Sequence, residues 1–408
     1  MSSLLSSHFK QKTLFHNNCG ARMTAIFFLM LANMMGVAHA GKVSKPPYTY
    51  TSVGNPALTP NISQTRSSPS YVLMGGGPDV DEAYRWMMKQ AGILPGTGGR
   101  LVVIRATGDG AYDPYMYYSN AASSTATADI IDGWVGGASL GLSSAETLVI
   151  PSIIAANDPT VNAIVARANV VWIAGGDQSD YVKFWKGQKL EATLKGLMAK
   201  NVPIGGTSAG LAVLGQFDFA AINGTVTSAQ AISDPYNRYM TFDPNPLSLT
   251  GGFIAPPALT NTITDSHVDA RDRMGRLITF VSRLVVPYVS SGSQLGCSGG
   301  VLSNSLARGI GLSVESALLV NQESDGHFSA RRVTNTPAPT SEAAVYFVNV
   351  TQGPTSCASG KVLAVPTSSV QIRKLADSTT TINLSDWSTI PVYKSVGVVS
   401  GVVSPDPY

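Results

Sequence analysis

Histidine, cysteine and charge are all scarce in this 408-residue chain, and each shortage closes off a class of chemistry. There are 5 histidines and 3 cysteines, and only 13% of residues are charged. His8, His16, His39 and Cys19 all fall in the first forty residues, leaving His267 and His327 with Cys297 and Cys357 beyond them. Two histidines cannot make a histidine-rich zinc site, and two lone cysteines cannot make a structural one. No metal and no cofactor is therefore expected. Long apolar runs are scarce too. The one at 25–37 follows Arg22, carries Asn33 and ends at Ala38-His39-Ala40, a small-residue cleavage pattern. It is too short to span a bilayer and reads as the core of a secretory signal peptide over 1–40. The expected product is secreted, extracellular or periplasmic, with no membrane attachment after cleavage.

Removing that leader takes Lys10, Lys12 and Arg22 and no acid, so 25 basic residues face 25 acidic ones. A net charge of zero gives nucleic-acid binding no electrostatic warrant. In an oxidising compartment the remaining pair, Cys297 and Cys357, is expected to form a disulfide.

Residues 41–68 are rich in Pro, Ser, Thr and Asn without periodicity and read as a flexible, exposed arm. From Tyr71 onward short apolar strands alternate with helical stretches. Strands are expected at 71–74, 101–105, 146–150, 170–174 and 202–204, with helices at 81–90 and over much of 181–200. Unbroken Val/Ile/Leu strands separated by helices predict a mostly parallel sheet covered on both faces, hence an α/β domain over 69–320. Ligands of such sheets bind beyond the carboxyl ends of the strands. Gly75-Gly76-Gly77, Gly175-Gly176 and Gly206 would all lie there. Gly75-Gly76-Gly77 lacks the third glycine of a dinucleotide loop, because Val80 occupies that place, and reads as a close-approach turn. Beyond about Leu312 the pattern turns to short β-rich segments, so 321–408 reads as a terminal β-rich extension.

The stretch Gly206-Thr207-Ser208-Ala209-Gly210 follows an apolar strand and opens into Leu211-Ala212-Val213-Leu214. A serine there sits in a sharp strand-to-helix turn with its hydroxyl raised at the sheet edge, as a nucleophile requires. Its base must be His267 or His327. His327 lies in Ser324-Asp325-Gly326, a turn sequence, and reads as a surface residue. His267 ends a strand-like run from Thr262, and strict alternation would put Asp265 on its face as an orienting carboxylate. Asp218, Asp234 and Asp243 are the other carboxylate candidates. Residues 269–277 carry Arg271, Arg273 and Arg276 in a helical pattern, and their forks suit carboxylates. Spacing predicts that not all three face inward, one pairing with Asp269 or Asp272.

Taken in order, Gly175-Gly176-Asp177-Gln178, Gly206–Gly210, Asp265-x-His267-x3-Arg271-x-Arg273-x2-Arg276-Leu277 and Gly309-Ile310-Gly311-Leu312 resemble the cyanophycinase and aspartyl dipeptidase family of serine peptidases. The resemblance spans roughly 71–320. It implies a flavodoxin-like, class I glutaminase-like fold, with Ser208 as nucleophile and His267 as base. Backbone N–H groups of Gly176 and Ala209 would form the oxyanion hole, and Asp177, Gln178 and the three arginines would bind substrate. It further implies a peptide or cyanophycin-like substrate cleaved to β-Asp-Arg dipeptides, and a homodimer is compatible with it. The chain departs from the family in four places, one of them a Ser208–His267 interval longer than usual, with an insertion through Asp234–Pro257. Ser266 stands where the family has glutamine, Ser313-Val314 where it has Asp-Glu, with Glu315 one position late, and 223–228 holds no acid. A dipeptidase for other small acidic peptides and a catalytically inactive binding protein of the same fold are the alternatives.

Overall fold

The computed structural model describes residues 45–118, 134–335, 339 and 341–408. The expected leader at 1–40 and the start of the arm lie outside them. Pro46 to Tyr408 forms one compact unit. Its centre is a nine-stranded sheet in which five adjacent strands, the second to the sixth, are all parallel: Ser144–Val149, Arg100–Arg105, Val170–Ile173, Ile204–Thr207 and Ser70–Met74. Alternate residues feed opposite faces, as a pleated strand requires. Leu73, Ile104, Leu148 and Ile173 enter one core with helix Lys189–Met198, whereas Val72, Val103, Ala145 and Trp172 enter another with helix Asp81–Gln90. Burial on both faces is what the unbroken apolar strands required, and the mixed α/β expectation holds.

Two expectations need correction. Thr49–Gly54 lies within the supposed flexible arm, yet it pairs antiparallel with Ser144–Val149 and closes one edge of the sheet. Its pattern was weak because an edge strand with mostly exposed side chains needs no apolar alternation. The β-rich C-terminal region is present as expected, but a boundary at 320 cuts through a strand. Ala317–Gln322 pairs antiparallel with Ser70–Met74, and Phe328–Val333 and Thr381–Asn383 continue the same sheet.

The remaining C-terminal strands build a second sheet of six. Val402–Ser404, Val392–Val399, Val365–Leu375, Val345–Val350 and Arg308–Leu312 are mutually antiparallel, and Thr262–Asp265 then adds in parallel to Arg308–Leu312. Helix Met274–Leu284 packs Leu277, Ile278, Val281 and Leu284 into a core beneath that sheet. A disulfide joins Cys297 to Cys357 with a Cα–Cα distance of 5.1 Å. The strand carrying Ser208 belongs to the first sheet, and the strand leading to His267 belongs to the second. The site forms where their carboxyl ends meet.

Candidate active site

Ser208 follows directly on strand Ile204–Thr207 and caps the four-residue helix Ala209–Ala212. Its backbone is left-handed, with φ 53° and ψ −110°. A non-glycine residue held there stores strain of about 1–3 kcal/mol, and the surrounding structure must impose it. The neighbouring glycines explain how the turn closes. A Cβ on Gly206 would come within 2.5 Å of the Gly210 carbonyl, and one on Gly210 within 2.0 Å of the Ile173 carbonyl oxygen. Strand, elbow and helix are pressed together too closely for any side chain, so the G-x-S-x-G spacing is a packing requirement.

His267 Nε2 lies 2.9 Å from Ser208 Oγ, within hydrogen-bond reach of a proton it would abstract. The histidine too is left-handed, with φ 51°, because the chain turns sharply after Asp265. Its N–H donates to the Gly75 carbonyl (2.8 Å), so the glycine turn after Met74 supports the base. A Cβ on Gly76 would sit 2.2 Å from the imidazole Cε1. The sequence marked this turn for close approach but gave no sign of what approached it.

Burial, followed by the nearby positive charges of Arg271 and Arg273, lowers the His267 pKa to about 4. Both causes penalise the imidazolium, so the ring is neutral at pH 7 and able to accept the serine proton. The acid limb of kcat/KM is therefore expected near pH 4, well below the ordinary histidine value of about 6.5. Arg271→Gln removes a positive neighbour, which favours protonation and should move the limb upward. A pH–rate profile of the two proteins checks both the position and the sign.

Asp265 does not orient the imidazole. Its carboxylate accepts two hydrogen bonds from Arg276, at 2.7 Å from Nε and 2.5 Å from Nη2, and a third from the Ser266 N–H at 2.9 Å. Alternation fails because the strand stops at Asp265 and the left-handed turn at His267 reverses side-chain direction. Asp218 and Asp243 face each other across a two-residue ladder, Asp243 paired to Lys186. Burial, then the charge of Asp243, drives the Asp218 pKa far upward, so Asp218 is a neutral structural carboxyl. Asp234 bonds the Tyr236 N–H. Among the described residues no carboxylate hydrogen-bonds His267 Nδ1, and the observed unit is a Ser–His pair.

The arginine run is not helical where it matters. The helix begins at Met274, so Arg271 and Arg273 lie in the turn before it. Arg276 is only 2% exposed. Besides Asp265 it bonds Thr225 Oγ1 and the Val226 carbonyl, and it lies over the rings of Phe219 and Phe280. Its assignment to substrate is thus corrected: Arg276 is a structural cation, and its partner is Asp265 rather than Asp269 or Asp272. Arg273 is half-buried and donates to the Ser266 carbonyl at 2.9 Å. Arg271 is exposed, and its side chain has no bonded partner among the described residues.

A cleft of about 240 Å³ brings these groups together, lined by Gly176, Asp177, Gln178, Ser208, Ala221, Gly224, Thr225, Ser266, Arg271 and Arg273. Gly176 N–H has no acceptor among the described residues, and Ala209 N–H opens its helix and has none inside it. Both are free for a developing oxyanion. The Tyr181 hydroxyl, 2.8 Å from the Ala174 carbonyl and 3.1 Å from that of Gly175, fixes the turn presenting Gly176, a contact the sequence did not reveal. Asp177 caps the next helix by accepting from Ser179 N–H (2.8 Å), and Gln178 Nε2 reaches the Phe219 carbonyl at 3.3 Å. Both line the cleft while committed to local structure. His327 pairs with Asp325 in an exposed hairpin turn, away from the cleft. No three His, Cys, Asp or Glu side chains converge as a metal-binding group among the described residues.

No protein-family model matches the sequence, and no curated protein matches it. Among solved structures, a peptidase from an acI-B1 Actinobacterium is similar at 13% identity, covering 78% of this chain and 97% of that one with a TM-score of 0.41. A candidate peptidase E from Listeria monocytogenes EGD-e is similar at 13% identity, covering 66% of this chain and 100% of that one with a TM-score of 0.35.

Proposed function

We propose that this protein is an exported serine peptidase that cleaves aspartyl or β-aspartyl bonds in acidic peptides, with cyanophycin as a polymeric substrate. One observation carries the reading: a strained serine lies 2.9 Å from a neutral histidine in a cleft lined by Arg271, whose side chain has no bonded partner among the described residues, and by Arg273, which pairs with Asp265 at 3.8 Å. His267 takes the Ser208 proton as Oγ attacks the scissile carbonyl, and the Gly176 and Ala209 N–H groups receive the negative charge. His267 then returns the proton to the leaving amine. Arg271 and Arg273 hold a substrate carboxylate beside the reacting carbon, which favours acidic residues flanking the bond. Export is supported by the leader pattern at 1–40 and by the Cys297–Cys357 disulfide.

The bare Nδ1 of His267 favours a second reading, a binding protein that retains the cleft with little catalysis. Incubating the protein with cyanophycin and with a panel of Asp-X and isoAsp-X dipeptides separates the two, since release of β-Asp-Arg or free aspartate is expected only from a peptidase. Within that assay, Arg271→Gln should raise KM for acidic substrates by roughly tenfold, the cost of one charge-assisted hydrogen bond, with folding stability unchanged. Equal KM values for the two proteins on every acidic peptide would remove Arg271 from recognition.

A further inference from the structure

A cavity larger than the catalytic cleft lies elsewhere in the molecule. It measures about 380 Å³ and lies on the second sheet, lined chiefly by Arg308, Arg373, Asn349, Thr351, Trp387 and Ser388. Its position follows from strand direction. Arg308 pairs with Thr262 at the start of two parallel strands, and Gly311 pairs with Asp265 at their end, where the chain turns to His267. The cavity therefore opens at the opposite end of those strands from the cleft, three residues or about 10 Å of strand away.

Its charge is unbalanced. Arg373 is only 6% exposed, yet all of its bonded partners are neutral: the Ile390 carbonyl at 2.8 Å, Asn349 Oδ1 at 2.5 Å and Gln371 Oε1 at 3.0 Å. A guanidinium has five N–H donors, so two remain beyond these three. Arg308 stands beside it, its charge centre 5.0 Å over the Trp387 ring and its Nη2 3.4 Å from the Ser385 carbonyl. Burial lowers the Arg308 pKa, the negative charge of Asp386 offsets this in part, and the positive charge of Arg373 adds a smaller lowering. Asp386 is exposed at the rim, with its carboxylate bonded to the Ser388 N–H and hydroxyl. Among the described residues neither arginine has a carboxylate within ion-pair distance. A buried guanidinium with neutral partners and a half-buried one beside it give the cavity an excess of positive charge, which Asp386, exposed at its rim, offsets only in part.

We infer that this cavity is a second binding site, for a small anion presenting a carboxylate or phosphate to Arg308 and Arg373. The spare N–H groups of Arg373 and the fork of Arg308 take the anionic oxygens, geometry to which guanidinium groups are suited. Asn349, Thr351 and Ser388 supply neutral polar groups around it, and Trp387 closes one wall, edge-on to Phe347. The site is separate from the acidic-peptide cleft and does not depend on the peptidase reading.

Thermal unfolding and isothermal titration with inorganic phosphate, citrate and N-acetylaspartate, at constant ionic strength, test this. The background should be Arg271→Gln, which weakens anion binding in the catalytic cleft. Saturable binding with a raised Tm is expected for at least one anion. Preference for phosphate or for the carboxylates then identifies the ligand's charged group. Arg308→Gln should weaken binding about tenfold or more. Asn349→Asp supplies the absent carboxylate beside Arg373, so it should raise the Tm without ligand and abolish the response to anions. A merely misfolded variant could not show that rise. Hydrolysis by both variants should match that of the background protein. No anion response in the background protein, or an undiminished response in both variants, would overturn the assignment.

Discussion

Replacing His267 by alanine is expected to lower kcat by about 10⁴-fold or more, with Ser208→Ala costing a similar factor. The two losses should not multiply in the double variant, because one proton transfer requires both groups. Removing either leaves only binding and the oxyanion donors, Gly176 and Ala209 N–H. His327→Ala should leave the rate within about twofold of the parent, as an exposed turn residue paired to Asp325 allows. The contrast is informative because the chain beyond residue 40 holds no third histidine. Initial-rate measurements on one acidic peptide check all four proteins together. A large loss in His327→Ala with none in His267→Ala would mean that the 2.9 Å Ser–His contact has no catalytic role.

Arg276→Ala is expected to destabilise the fold by about 3–5 kcal/mol, the cost of removing the main partner of a buried carboxylate, which keeps only Arg273 at 3.8 Å. Asp265 is 2% exposed and would lose two of its three hydrogen bonds, while Thr225 and the Val226 carbonyl would lose their donor. Asp265 lies two residues before His267, so activity should fall with stability as the base loses its position. Replacing both partners by apolar residues, Arg276→Met with Asp265→Leu, should recover part of the stability, because the buried carboxylate is gone and Arg273, which loses its ion pair, keeps its bond to the Ser266 carbonyl. Urea unfolding of the single and double variants measures this. Were Arg276→Ala as stable as Arg271→Ala, the buried pair would not be holding this region together.

The elbow was legible in sequence because its glycines answer a local demand. Strand and helix touch at Gly206 and Gly210, and no other residue fits there. The parallel sheet was legible for a similar reason, since strands buried on both faces must be apolar throughout. Asp265 was misread because alternation assumes a strand that continues, and this one ends before the left-handed turn that aims His267. The three arginines looked equivalent in a helical pattern. Only the late start of the helix at Met274 and the buried carboxylate beneath it separate Arg276 from Arg271. The support for the base from Gly75 and for the oxyanion turn from Tyr181 rests on contacts between distant segments, which composition and spacing do not encode. The second sheet was hidden similarly. Its C-terminal strands were recognisable singly, but their pairing onto Arg308–Leu312 depends on tertiary placement.

The central claim is that Ser208 is a nucleophile activated by His267, and reaction with a fluorophosphonate probe tests it most directly. A phosphonylated serine forms only where the hydroxyl is activated, whatever the preferred peptide. The account predicts stoichiometric labelling mapped by mass spectrometry to the peptide containing Ser208, unaffected by EDTA, greatly slowed in His267→Ala and absent in Ser208→Ala. A folded wild-type protein that takes up no label, or one labelled equally in Ser208→Ala, would contradict it.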